Sequence, residues 1–133
     1  MVEGARRLRL HGIWRAIGFA LIATVVTLSL IPIEADLGEN RDKLGHFLAY
    51  GGLMFWFGVL IPARRRQLQI ALAFCAMGIA VEFLQDLTPY RSFELADMGA
   101  DSVGVLIGWC VALTPLKHSL TWIEALIFRS GKV

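Results

Sequence analysis

Charge is scarce in this sequence. Asp, Glu, Lys and Arg make up 18% of its 133 residues, where a soluble domain carries about 25%. No polar stripe remains to coat the outside of a soluble bundle of this size. Cysteine is nearly absent: Cys75 and Cys110 both fall inside apolar stretches. Two such residues exclude a disulfide framework, and no CxxC spacing offers a metal knot; both read as small packing residues. There is no HExxH pair, repeat or low-complexity tract, so neither a cofactor nor a dedicated metal site is expected. One histidine among carboxylates would in any case favour magnesium or manganese over zinc. The net charge of +2 is too small and too unevenly placed for a nucleic-acid partner.

What the chain has instead is apolar surface in blocks. Hydrophobic residues reach 56%, with a mean hydropathy of +0.61, and they fall into four runs: residues 16–33, 44–61, 68–87 and 98–116. A helix crossing the hydrocarbon core needs about 20 such residues. Length and repetition therefore predict an all-α, integral membrane four-helix bundle with antiparallel spans, in one domain covering residues 1–133. After Leu116 the tail is too short to cross again, and Trp122 with a basic end predicts a short helix lying in the interface.

The first run follows Arg6, Arg7, Arg9 and Arg15, as a secretory signal would. It is longer than an h-region of about 7–15 residues, and Ile33-Glu34-Ala35 is a poor cleavage site; a retained signal-anchor is expected. Basic residues also set the orientation. Ten of the thirteen Lys and Arg fall on one side: the four above, Arg64, Arg65, Arg66, Lys117, Arg129 and Lys132. Only Arg41, Lys43 and Arg91 fall on the other. Both termini should be cytoplasmic, with the loops at residues 34–43 and 88–97 outside. Trp14, Trp56, Trp109 and Trp122 sit toward the cytoplasmic ends, as an aromatic belt does. His11 and His118 read as interfacial. Arg64, Arg65 and Arg66 read first as a topology anchor, then as an anionic-lipid contact.

The polar residues of the runs share one level. His46 opens the second span after Asp42 and Lys43; Glu82, Gln85 and Asp86 close the third; Asp97 and Asp101 open the fourth. Ionisable groups at membrane depth are costly and face partners in the bundle. Lys43, His46 and Tyr50 share one face of a helix, as do Gly78, Glu82 and Gln85, and Asp97 lies one turn before Asp101. Ala96, Ala100, Gly104, Gly108 and Ala112 form a small-residue ladder that admits close helix approach. It serves either this bundle or a homo-oligomer through Gly104 and Gly108.

The run Asp42-Lys43-Leu44-Gly45-His46-Phe47-Leu48-Ala49-Tyr50 resembles the DKxxHFxxY signature of the VanZ-like membrane family. Glu82 with Gln85, Pro89 with Arg91, and Asp97, Asp101 and Gly104 are similar to its ExxQ, PxR and DxxxNxxG elements. Asp101 stands where many members carry asparagine. The resemblance implies a small multi-span protein of the bacterial inner membrane, tied to the cell envelope and, through the founding member, to low-level resistance to teicoplanin, a glycopeptide antibiotic.

Three readings of the polar level follow. In the first, it binds or modifies a membrane lipid or a lipid-linked cell-wall precursor. His46, Glu82 and Asp97 are then the candidate catalytic acid–base groups, while Asp42, Lys43, Tyr50, Gln85, Arg91 and Asp101 hold the ligand, Lys43 and Arg91 facing an anionic group. In the second, pairs such as Lys43 with Asp97 and Arg91 with Glu82 lock the bundle without catalysis. Interhelical polar contacts in membranes average below about 1 kcal/mol, a small return for so many costly groups. The third, a proton or ion path, lacks polar stepping stones in the cytoplasmic halves of the spans.

Overall fold

The computed structural model describes residues 7–32 and 39–130. Among them there is no strand. Helix α1 spans His11–Leu30, α2 Glu39–Leu60, α3 Arg64–Asp86 and α4 Leu95–Ala112; a 3-10 turn, Pro115–His118, leads into α5, Ser119–Arg129. The all-α expectation holds. Arg6, Lys132, the weak cleavage site at residues 33–35 and residues 34–38 of the first expected external loop lie outside the described residues.

Proline sets several boundaries. Ile31 precedes Pro32 and is extended (φ −85°, ψ 148°), because the ring of the next residue disfavours helical backbone there. Helix α2 stops two residues before Pro62. Pro115 falls inside the apolar run 98–116 but outside α4. Helix α4 ends at Ala112, and Pro115 opens the 3-10 turn, with Thr114 Oγ1 accepting from the Leu116 N–H at 3.3 Å. A first-turn position has no use for the N–H that proline lacks.

Among the described residues, three helices are long and apolar enough to cross a membrane: α1, α3 and α4. Helix α2 is 22 residues long but less apolar, since it carries Asp42, Lys43, His46 and Tyr50. Its position compensates. It supplies Tyr50, Leu53, Met54, Phe57 and Leu60 to the core, meeting Ala71 and Phe74 of α3, Val105 of α4 and Leu120 of α5. Helix α1 buries only Gly18 and turns Ile13, Phe19 and Leu28 outward; α3 exposes Leu72, Ile79 and Phe83, and α4 exposes Val103, Leu106 and Ile107. Apolar side chains thus face both ways, as they do where the solvent is hydrocarbon.

The most extensive helix contact is between α2 and α4, and glycine makes it possible. A Cβ on Gly108 would strike the Gly51 carbonyl, and one on Gly104 would strike the Phe47 carbonyl. Backbone here meets backbone, and neither side can rotate away. The buried part of the small-residue ladder, Gly104, Gly108 and Ala112, packs against the chain's own α2.

Two polar side chains close the end opposite His46. Gln67, 3% exposed, donates to the Gly58 and Ile61 carbonyls at 2.8 and 3.0 Å and accepts from Trp109 Nε1 at 3.0 Å. It satisfies carbonyls that the end of α2 leaves open. Glu124 of α5 accepts from the Arg9 and Leu10 N–H groups at 2.8 and 2.9 Å and from Trp14 Nε1 at 2.8 Å. Those amides sit at the start of α1, whose donors have no intrahelical partner and whose dipole favours an anion. Helix α5 is thereby tied to α1, with Trp122, Leu126 and Ile127 left outward.

Candidate functional site

The site lies where α2 and α4 begin and α3 ends. His46 stands two turns into α2, buried at 8% exposure. Its Nδ1 lies 2.9 Å from Asp101 Oδ1 and its Nε2 3.8 Å from Asp97 Oδ2. The first is a hydrogen bond; the second is beyond one. A carboxylate can only accept, so Nδ1 carries the proton toward Asp101. Asp101 reaches this place because α3 has Gly78 opposite it: a Cβ there would lie 2.7 Å from Asp101 Oδ2.

Asp97 sits in the first turn of α4, where the helix dipole supports a negative charge. Its Oδ1 is fully buried without a hydrogen-bond partner among the described residues, and so is the Tyr50 hydroxyl. Tyr50 lies one turn along α2 from His46, fully buried, with Asp101 and Glu82 nearby. An unpaired buried polar atom costs about 1–3 kcal/mol, so two of them in one cluster leave its hydrogen bonding incomplete.

The surrounding residues pair in a pattern different from the expected one. Arg91 donates from Nη2 to both oxygens of Asp42 at 2.9 Å rather than meeting Glu82. Lys43 meets Glu94 at 3.2 Å rather than Asp97. Glu82, 1% exposed, accepts the Glu94 backbone N–H at 2.5 Å and so pins the start of α4. Gln85 turns the other way, its Nε2 donating to the Ser29 carbonyl at 2.7 Å, while the Tyr90 hydroxyl donates to the Leu30 carbonyl at 2.7 Å. Both satisfy the open carbonyls at the end of α1. Asp86 is exposed.

His46, Asp97, Asp101 and Tyr50 thus form the interior of the site, Asp42, Lys43, Arg91 and Glu94 its half-exposed rim, and Glu82 its brace. Glu94 is the residue that spacing alone misses. It falls between the third and fourth apolar runs, and its partnership with Lys43 depends on how the turn after α3 folds.

The chain's likeness to known proteins covers this whole arrangement. The VanZ/LLP1 family model matches residues 8–118. The chain belongs to the VanZ/LLP1 family. It is also 28% identical over 118 residues to an uncharacterized protein of Schizosaccharomyces pombe, across 81% of this chain and 72% of that one. No solved structure matches it. Within the VanZ/LLP1 match fall all residues of the site, whereas Glu124 and the rest of α5 lie beyond it. Asp101 is the direct partner of His46.

Proposed function

We propose that this VanZ/LLP1 protein crosses the bacterial inner membrane four times with both termini in the cytoplasm, and that its His46 cluster binds or modifies a phosphate-bearing lipid or lipid-linked envelope component at the outer leaflet. Helix α2, at 22 residues, is about 33 Å long, enough for a hydrocarbon core of about 30 Å. Arg7, Arg64 and Lys117 gather around one cleft at the far end of the bundle, and Lys43 and Arg91 stand at the site; a basic cytoplasmic side accords with that division.

The observation that carries the functional reading is the incomplete interior. A structural lock gains by satisfying every buried group, yet Asp97 Oδ1 and the Tyr50 hydroxyl stay unpaired beside an imidazole that holds Asp101 on one side and faces Asp97 on the other. Such an imidazole keeps Nε2 open to a proton or to a ligand. The likeness to a yeast protein favours chemistry found in many membranes, a phosphate headgroup, over a precursor confined to one kind of cell wall.

The test compares His46→Ala and Asp97→Asn with the parent chain. Folded yield in detergent is measured beside retention of phosphate-bearing lipids by native mass spectrometry, and glycopeptide sensitivity of producing cells serves as an envelope readout. Normal yield with lost lipid retention supports the reading. Collapse of folded yield in both variants assigns the cluster to structure, and unchanged yield and retention refute a headgroup site.

A further inference from the structure

Resting on the site proposed above, we infer that Asp42, His46 and Asp97 hold a divalent cation of the magnesium–manganese class, and that this cation receives the anionic headgroup. One ligand atom from each of the three residues lies within 4.8 Å of the others. Ligands about 2.1 Å from a shared ion lie about 3–4 Å apart, so the widest separation has to close by about 1–2 Å around an ion to complete the set. The 3.8 Å between His46 Nε2 and Asp97 Oδ2 is too long for a hydrogen bond and falls in that range.

Three further features point the same way. With Nδ1–H given to Asp101, a neutral imidazole turns its Nε2 lone pair toward a carboxylate oxygen, an arrangement that needs either a proton or a cation between them. A carboxylate on the far nitrogen is also how metal-binding histidines are commonly oriented. Second, Asp97 is 4% exposed and Tyr50 fully buried, and each presents an unpaired oxygen inside the cluster. Third, the charges do not balance. Asp42, Glu82, Glu94, Asp97 and Asp101 meet only Lys43 and Arg91 as fixed cations among the described residues. A phosphate approaching that excess of carboxylate would be repelled; a bound dication reverses the field. Two carboxylates and one imidazole form a ligand set suited to manganese.

The full chain, purified in detergent and stripped with chelator, is titrated with Mn²⁺ while the six-line resonance of free Mn²⁺ is recorded. One saturable equivalent is expected. Asp97→Asn should weaken it at least tenfold, and so should Asp42→Asn, whose half-exposed site makes misfolding an unsuitable explanation. Asp86→Asn, on an exposed position outside the cluster, should leave it unchanged. Absence of a saturable site, or equal binding by the parent and both site variants, overturns the inference. Headgroup retention by the stripped protein separates the two claims: retention without metal sinks the cation's role and leaves the headgroup site standing. Saturable manganese binding with retention untouched by His46→Ala does the reverse.

Discussion

Removing the charge of Glu124 should loosen the attachment of α5 to α1 by about 2 kcal/mol. The carboxylate accepts three donors: Arg9 N–H on Oε2, and Leu10 N–H with Trp14 Nε1–H on Oε1. In Glu124→Gln one oxygen becomes an NH₂ that cannot accept. If the amide oxygen keeps the Leu10 and Trp14 bonds, its NH₂ confronts the Arg9 N–H, donor against donor. One hydrogen bond to a charged acceptor is worth about 1.5–3 kcal/mol, and an anion at a partly buried helix N-terminus up to about 2 kcal/mol. These overlap, and water can reach the freed amide, hence about 2 kcal/mol in total. Glu124→Ala, which loses all three, should cost about 3 kcal/mol on the same scale.

Acid tests the cause. Burial pushes the Glu124 carboxyl up, but the Leu10, Trp14 and Arg9 donors and the Arg9 charge outweigh it and hold the group below the usual carboxylate range. A folded-state pKa below the unfolded value of about 4.3 means that the stabilisation is complete above that value. It fades as pH falls through the lower folded pKa. Chemical denaturation in micelles, followed by Trp fluorescence at several pH values, should show a parent-minus-Gln gap that is full at neutral pH and closes below about pH 4. A gap that is absent at neutral pH, or that persists unchanged in acid, refutes the capping account.

Other positions give sharper contrasts. Gly108→Ala should abolish most folded yield, since the new methyl meets the Gly51 carbonyl, whereas Gly52→Ala, with nothing within 4 Å, should be tolerated; size-exclusion profiles in detergent report both. Gly78→Ala pushes on the Asp101 carboxylate and should shift the His46 ring resonances in NMR while the helix content by circular dichroism stays constant. Gln67→Leu leaves the Gly58 and Ile61 carbonyls and Trp109 Nε1 without their partner, and should lower stability by about 2–3 kcal/mol in urea titrations.

The sequence made the helices legible because a membrane demands long apolar runs, and the shared depth of His46, Glu82, Asp97 and Asp101 because helical rise fixes depth. What it could not give was direction within that level. Glu82 and Gln85 are a single turn apart on α3, yet one braces α4 and the other α1; which neighbour each meets depends on helix rotation, and a three-residue spacing does not encode that. The salt-bridge partners of Lys43 and Arg91 were likewise out of reach, because exposed cations near several carboxylates have near-equal choices that only the turn between α3 and α4 resolves. Glu124 did leave a signal, a lone acid in an otherwise apolar and basic tail, but its donors are more than a hundred residues away along the chain.

The low apolarity of α2 follows from its place in the bundle. A helix at the rim must present hydrocarbon to lipid over its whole outer face, as α1 does with one buried residue. Helix α2 is wrapped instead: α4 covers it along the glycine seam, α1 and α3 flank it, and its large exposed apolar residues are Leu44 and Leu48, both near the His46 end. Its residues are therefore released from the requirement that makes a span recognisable, and can carry Asp42, Lys43, His46 and Tyr50. The same enclosure keeps His46 and its aspartates out of hydrocarbon, where an unpaired charge would cost most. Close packing by glycine and a polar interior are thus two consequences of one arrangement: the backbones of α2 and α4 meet so that the side chains at their common end have somewhere other than lipid to go.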